Sequence, residues 1–83
     1  MKIRQSKTMY NIGTNIRKFR KEKKLTQTQI ITQMQLLGVD ISRSSYSHLE
    51  CGLVNIRVSE LLALTIIFDK DFNAFFEGMS LPT

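Results

Sequence analysis

Apolar residues recur every three or four positions along most of the chain, which is the spacing of helices that bury one face. The pattern predicts helices over about residues 9–23, 27–37 and 43–50, a fourth helix that contains the apolar residues of 61–68, and a short fifth helix around 72–76 that ends at Gly78. No stretch alternates apolar and polar residues as a half-buried strand does. The sequence therefore predicts an all-α fold of five short helices at residues 9–78, with a flexible basic arm at 1–8 and a loose tail at 79–83.

The same spacing predicts which side chains form the hydrophobic core. The first helix is expected to bury Ile12, Ile16 and Phe19, and the third helix is expected to bury Tyr46 and Leu49. The second helix has four apolar residues at core spacing, which are Ile30, Ile31, Met34 and Leu37. The fourth helix is the most apolar segment of the chain, with Leu61, Leu62, Leu64, Ile66, Ile67 and Phe68.

Start and stop signals accompany the predicted helices. Thr26 and Gln29 form a T-x-x-Q capping box at the start of the second helix. Ser42 is suited to cap the third helix, and Asn55 is the best local candidate to cap the fourth. Glycine readily adopts the left-handed conformation that ends a helix, so the second and third helices are expected to stop at the two glycines Gly38 and Gly52.

Positive charge is concentrated in one half of the chain. The 83 residues carry a net charge of +5, but residues 1–43 hold ten Lys or Arg against two acidic residues. Residues 44–83 hold two basic residues against five acidic ones. A basic half of this kind attracts polyanions such as nucleic acid, and a purely solubilising surface is the alternative.

Composition argues against several other classes of protein. The single cysteine, Cys51, has no partner for an internal disulfide, and the basic start of the chain does not resemble a signal peptide. The longest apolar run, at 61–68, is far shorter than the ~20 residues of a membrane span, so a cytoplasmic location without a membrane partner is expected. One histidine and one cysteine are too few for a zinc site or a catalytic constellation, so neither a cofactor nor enzyme activity is expected.

Two short stretches carry the candidate binding chemistry, Leu-Thr-Gln-Thr-Gln at 25–29 and Ser-Arg-Ser-Ser-Tyr-Ser-His-Leu-Glu-Cys-Gly at 42–52. The first begins a helix, whose free backbone N–H groups suit a phosphate oxygen. The second is a helix whose buried edge, Tyr46 and Leu49, turns four polar side chains outward, Arg43, Ser44, Ser47 and His48. A helix of this kind is suited to enter the major groove of DNA, although serine is also an ordinary surface residue.

The order of a basic helix, Leu-Thr-Gln, an apolar helix, a serine-rich helix and Glu-x-Gly resembles the Cro/C1-type (Xre-like) helix-turn-helix family of transcriptional regulators, over about residues 12–76. The resemblance implies a lambda-repressor-like fold that binds duplex DNA. It implies that Gln27 contacts the DNA backbone and that Arg20 and Glu50 form a salt bridge between the first and third helices. Arg43 and His48, with Ser44, lie nearest the positions that the family uses to read bases.

Six further residues are candidates for contacts with phosphate, and the alternative is that they are only solvated surface residues. They are Arg17, Lys18, Lys21, Ser45, Asn55 and Arg57. Because one short helix reads few base pairs, a homodimer is expected, with its interface near the fourth and fifth helices. The alternative is a protein-interaction module on the same fold, such as an antitoxin or a small phage-type regulator. The apolar loop at 53–56 and the phenylalanines near the C-terminus favour that alternative.

Overall fold

The structure is a computed structural model that describes residues 12–52 and 55–78, and it contains five helices and no strand in these ranges. The helices are α1 (Gly13–Glu22), α2 (Gln27–Leu36), α3 (Arg43–Cys51), α4 (Val58–Phe68) and α5 (Phe72–Phe75). The predicted all-α fold of five helices is confirmed for these residues. The expected arm at 1–8, the expected tail at 79–83 and residues 9–11 of the predicted first helix lie outside them. None of the described helices combines the length and the apolar character that crossing a membrane requires.

The signals that bound α2 and α3 act as predicted. Thr26 Oγ1 accepts a hydrogen bond from the Gln29 backbone N–H at 3.1 Å, and Gln29 Oε1 accepts one from the Thr26 N–H at 2.8 Å. Ser42 Oγ accepts from the Ser45 N–H at 3.0 Å at the start of α3. Gly38 and Gly52 follow α2 and α3 with positive φ angles of 88° and 74°, a conformation that costs other residues a steric penalty.

The start of α4 differs from the prediction, because Asn55 does not cap it. Arg57 occupies the N-cap position, and Glu60 Oε1 accepts a hydrogen bond from its backbone N–H at 2.8 Å. A carboxylate in the first turn therefore satisfies the end of the helix from within, and it also interacts favourably with the helix dipole. Asn55 remains exposed in the preceding segment.

The second helix ends one residue earlier than predicted, which leaves Leu37 outside the core. This leucine was expected in the core, but it is the C-cap residue of α2 and is 45% exposed. Because the chain turns at Gly38, Leu37 lies beyond the buried stripe of α2. Ile41, in the connection to α3, is buried in the core.

The core is formed by the inner edges of the four long helices and by α5. Among the described residues twelve apolar side chains are buried, and they are Ile16, Phe19, Ile30, Ile31, Met34, Ile41, Tyr46, Leu49, Ala63, Leu64, Phe68 and Phe75. The rings of Phe68 and Phe75 meet the ring of Phe19 edge-on, with centroids 5.9 and 5.2 Å away. Such pairs add stabilisation beyond area burial and fix α5 against α1 and α4.

Asn15 joins the two ends of the described fold. Its Nδ2 donates to the backbone carbonyl oxygens of Phe75 and Glu77, each at 2.9 Å, across 60 and 62 residues of sequence. These two carbonyl groups lie at the end of α5, where the helix itself provides no N–H partner. The start of α1 thereby holds the last turn of the domain.

Candidate nucleic-acid interface

Helix α3 turns a polar face outward because its inner edge is held on two sides. It packs against α1 and α2, and Tyr46, Leu49 and Glu50 are its buried residues. The three side chains that were expected to lie nearest the bases, Arg43, Ser44 and His48, are all exposed, as is Ser45, while Ser47 is partly covered. The separation into an inner and an outer edge follows the predicted spacing.

Cys51 also belongs to this outward face, although the predicted third helix ended at residue 50. The structure extends α3 by one residue, so that Cys51 lies in its last turn with an exposed thiol. Residues three and four apart share one side of a helix, which aligns Ser44, His48 and Cys51. The final glycine of Glu-x-Gly marks the C-cap at Gly52, and this signal could have included Cys51.

A buried ion pair attaches the end of α3 to α1. The expected pair between Arg20 and Glu50 is present as a two-pronged contact, with Nε 2.6 Å from Oε2 and Nη2 3.0 Å from Oε1. The Arg20 side chain is 12% exposed and that of Glu50 only 3%. Arg20 Nη1 also donates to the Leu25 carbonyl at 2.9 Å, so the same guanidinium holds the α1–α2 connection.

Gln27 takes part in this network, which the sequence did not predict. Its Nε2 donates to Glu50 Oε1 at 3.1 Å, and the side chain is partly buried. Glu50 therefore accepts hydrogen bonds from the first turn of α2 as well as from α1. The start of α2 and the end of α3 are held in a fixed relation, while the side-chain oxygen of Gln27 remains an acceptor.

The charges of the pair stabilise each other against the cost of burial. Burial acts to raise the pKa of Glu50. The hydrogen bond from Arg20, the nearby Tyr46 hydroxyl and the hydrogen bond from Gln27 together outweigh burial, so the pKa is lowered. The hydrogen bond to Glu50 raises the pKa of Arg20 against the opposing effect of burial. Both side chains are held in their charged forms at neutral pH.

Tyr46 brings a buried hydroxyl into the same region. The side chain is fully buried, and its hydroxyl has no hydrogen-bond partner among the described residues. Burial first, and the nearby Glu50 carboxylate second, raise the pKa of this phenol. Tyr46 thus serves as a neutral packing residue behind the outward face.

The first turn of α2 leaves two backbone donors available. The capping box engages the N–H groups of Thr26 and Gln29, and those of Gln27 and Thr28 have no partner among the described residues. Unpaired N–H groups and the positive end of the helix dipole both favour an anion such as a phosphate oxygen. The backbone of α2 thus offers the donors that the sequence predicted there.

A polar depression of about 440 Å³ lies beside the start of α3. It brings together Ser45, Asn55 and Arg57, three of the predicted phosphate contacts, from two separate segments. Asp40 and Glu60 also line it, and the Ser42 hydroxyl donates to that of Ser45 at 3.0 Å. The depression therefore contains several neutral donors and one guanidinium, which is outnumbered by two carboxyl groups.

The predicted phosphate-binding cations of α1 face solvent. Arg17, Lys18 and Lys21 are all exposed, and Arg17 and Lys21 lie one turn apart on one side of the helix. Exposed cations of this kind can approach a polyanion without breaking an internal contact.

The loop at 53–56 was predicted to be an apolar surface for a protein partner. Its Ile56 is partly buried and packs against the core, and residues 53 and 54 lie outside the described ranges.

No family model, curated protein or solved structure matches the chain. Within the described residues, no three His, Cys, Asp or Glu side chains are grouped as ligands of a metal ion. The candidate site consists of the outward face of α3 and the segments beside it.

Proposed function

We propose that this protein binds duplex DNA in a sequence-specific manner and regulates transcription, with α3 as its recognition helix. The observation that carries the proposal is the outward face of α3, where Arg43, Ser44 and His48 are exposed while the opposite edge is anchored by Glu50. A helix fixed along one edge can present the other to the base edges of a major groove. The resemblance to Cro/C1-type regulators and their lambda-repressor-like fold supports the same function.

Base reading is assigned to the outward side chains of α3. Arg43 can donate two hydrogen bonds to O6 and N7 of guanine, which is the commonest base-specific contact in protein–DNA complexes. His48 and the serines Ser44 and Ser47 can donate or accept hydrogen bonds and discriminate less sharply. Specificity is therefore expected to depend most on Arg43.

Phosphate contacts are assigned to the residues around α3, and they set the register of the helix in the groove. The start of α2 with Gln27, the depression with Ser45, Asn55 and Arg57, and the exposed cations of α1 are the elements of this second set. A homodimer with two α3 helices would require half-sites about one helical turn apart, roughly 34–36 Å.

The decisive experiment is selection of bound sequences from a random duplex pool, followed by titration of variants against the selected site and a scrambled duplex. Arg43→Ala should weaken binding to the selected site by about 1–3 kcal/mol and leave scrambled DNA almost unchanged. Arg17→Ala is the matched control, because loss of a phosphate contact should weaken binding to both duplexes alike. Equal losses for Arg43→Ala on both duplexes would reduce this residue to a backbone contact.

The salt dependence of binding tests the electrostatic part of the proposal. Each neutralised phosphate contributes a slope of about −0.9 to log K against log salt concentration, so four or five contacts give roughly −4. The slope should become shallower by about one unit in Lys21→Ala. Measurable binding with a slope near zero contradicts phosphate contacts by these residues.

A protein-interaction module on the same fold is the second candidate function. It is favoured by exposed apolar side chains in the C-terminal half, among them Phe72 and Phe76, which are 44% and 46% exposed. Absence of binding to generic duplex DNA at low salt would favour this candidate over the first, since basic DNA-binding domains bind non-specific duplex under those conditions.

A further inference from the structure

Glu60 is a buried carboxylate without a cationic partner. It is the only charged residue of α4, whose outer side carries the exposed apolar side chains Val58, Leu62 and Ile66. Glu60 itself is only 9% exposed, and neither ion pair found among the described residues involves it. Because an isolated charge is costly to bury, buried carboxylates are ordinarily paired. Glu60 lacks such a partner within the described part of the chain.

Glu60 lies in the wall of the depression beside the start of α3. Its Oε1 accepts the Arg57 N–H, and no described residue donates to its Oε2. The Tyr46 hydroxyl is the only enclosed polar side-chain atom without a partner among the described residues, so Oε2 is open to solvent in the depression. Ile41 and Leu49, which are 5% and 4% exposed, give the same cavity an apolar surface. Its volume of about 440 Å³ is within the range of small-molecule sites.

The depression holds charges of both signs that are not paired with each other. The Arg57 guanidinium and the carboxylates of Asp40 and Glu60 line it, but no ion pair joins these three described residues. A simple anion that enters the depression meets two carboxylates, and a simple cation meets the guanidinium. A molecule with one charge of each sign can contact both sides without meeting a like charge at either end. The arrangement therefore favours a zwitterion.

A hydroxyl adds a donor to the positive side of the depression. Ser42 Oγ donates to Ser45 Oγ at 3.0 Å and accepts from the Ser45 N–H, so the hydroxyl proton of Ser45 has no acceptor among the described residues. The depression lies at the start of α3, where the helix dipole is positive. Ser45 and Arg57 can therefore donate to the carboxylate of a ligand while the dipole favours its charge.

We propose that this depression binds a small zwitterion of the α-amino acid class. The ammonium group of the ligand donates to Oε2 of Glu60 and supplies the positive charge that this buried carboxylate lacks. The carboxylate group of the ligand accepts hydrogen bonds from Arg57 and Ser45. An aliphatic side chain of the ligand packs against Ile41 and Leu49.

Phosphate and metal ions fit the depression less well. A DNA phosphate can reach Asn55 and Arg57 from outside, because both are exposed, but a phosphate within the depression meets Asp40 and Glu60. A metal ion gathers its oxygen ligands around one point, and the guanidinium in the same depression repels it. A zwitterion avoids both conflicts.

The ligand shares Ser45 and Arg57 with the phosphate contacts assigned above, and this consequence rests on the proposed function. A bound amino acid should weaken binding of the selected duplex at least about fivefold, and the duplex should weaken binding of the amino acid by the same factor. A chain that binds duplex but no amino acid overturns the site alone. A chain that binds the amino acid but no duplex keeps the site and contradicts the DNA-binding function.

Nuclear magnetic resonance titration of the complete chain without DNA tests the site. The common α-amino acids are added singly to ¹⁵N-labelled protein, and at least one should cause saturable shifts centred on the amides of Ser45, Arg57 and Glu60. A Kd on the order of 0.1–1 mM is expected, because a ligand of about ten non-hydrogen atoms in an open depression gains little free energy per atom. If no amino acid causes saturable shifts at about 10 mM, or if the shifts centre elsewhere, the proposal is overturned.

Derivatives of the strongest ligand test the need for both charges. Its N-acetyl derivative lacks the ammonium charge and its amide lacks the carboxylate charge, so each should bind at least about tenfold more weakly. Equal affinity of either derivative overturns the zwitterion. Magnesium chloride tests the metal alternative, and saturable shifts of the same amides at lower concentrations than the amino acid requires would assign the depression to a metal ion instead.

Paired variants test the residues that bind the two charges. Glu60→Gln retains an oxygen for the Arg57 N–H but removes the charge, so affinity should fall at least about tenfold while helical circular dichroism is unchanged. Glu77→Gln makes the same change on an exposed side chain after α5 and should leave affinity unaltered. Arg57→Gln removes the opposite charge from an exposed side chain and should cost a similar factor. Unaltered affinity in Glu60→Gln or Arg57→Gln, or equal losses in Glu60→Gln and Glu77→Gln, overturns the assignment.

Discussion

Helices α3 and α4 are held in the domain by different interactions, and the surfaces that they expose to solvent differ in polarity. The inner edge of α3 combines two apolar residues with Glu50, which is bound by Arg20 and Gln27. The inner edge of α4 is mainly apolar packing centred on Phe68. Outward, α3 is polar and α4 is apolar. Two helices of one small fold can therefore expose surfaces of different chemistry, because the contacts that hold each helix in place are on its inner edge.

The contrast also concerns geometry. Apolar packing tolerates small displacements, whereas hydrogen bonds of 2.6–3.1 Å around one carboxylate fix the distance and angle between helices. A helix that reads base edges requires such a fixed orientation. A helix that packs against another protein can adjust its side chains, and this difference makes the two attachments open to separate tests.

The largest effect is expected from the inner edge of α4. Phe68→Ala removes a fully buried ring that packs against two other rings, and it should lower the free energy of unfolding by about 3–5 kcal/mol, much of the total for a domain of this size. Leu62→Ala on the outer side should change it by less than about 0.5 kcal/mol in dilute solution. Urea denaturation measures both, and similar losses would mean that the outer side is not free.

The next largest effect concerns the ion pair that anchors α3. Arg20→Ala or Glu50→Ala leaves one buried charge without its partner and should cost about 3 kcal/mol, whereas the double variant should lose less than the sum. A double-mutant cycle in urea denaturation measures the interaction. Additive losses would show that the two side chains do not stabilise each other in solution.

A smaller effect should appear in acid. The pKa of Glu50 lies below its ordinary value of 4.5, so its contribution to stability is complete above pH 4.5 and is lost as the pH falls through the folded pKa. Below that pH, Tm should therefore fall more steeply in the native chain than in Glu50→Gln. Glu77→Gln, which removes an exposed carboxylate that forms no ion pair among the described residues, is the control, and identical slopes for the native chain and Glu50→Gln would contradict a lowered pKa.

Only a small effect is expected from removal of the Tyr46 hydroxyl. Tyr46→Phe removes a buried group that has no hydrogen-bond partner among the described residues, so stability should change by less than about 1 kcal/mol. Urea denaturation decides this. A loss of more than about 2 kcal/mol would mean that the hydroxyl forms a full hydrogen bond with Glu50 in solution.

The features of the fold that the residue pattern predicts are those set by near neighbours along the chain, whereas the Arg20–Glu50 pair, 30 residues apart, was implied by the resemblance to Cro/C1-type regulators. The capping box of Thr26, the cap at Ser42 and the turn at Gly38 each depend on residues within a few positions of one another. The outward side chains of α3 were predicted in the same manner, from the spacing of Tyr46 and Leu49. Local geometry is sufficient for these features.

The features that the sequence did not predict depend on distant parts of the chain or on which of several similar residues prevails. Gln27 meets Glu50 across 23 residues of sequence, and no local rule specifies that contact. Leu36 and Leu37 are adjacent leucines, and their exposure follows from where α2 ends. Asn55 has the side chain of a capping residue, but Glu60 satisfies the end of α4 from within the helix.

The contacts of Asn15 with the carbonyl groups of Phe75 and Glu77 bring the first and last described turns together. The two limits of the described fold, residues 12 and 78, therefore lie near each other, and a short peptide could connect them without displacing α1 or α5. A circularly permuted protein that opens in the segment between α3 and α4 would keep every helix intact. Segments attached at residues 12 and 78, the limits of the described fold, would leave it from neighbouring turns.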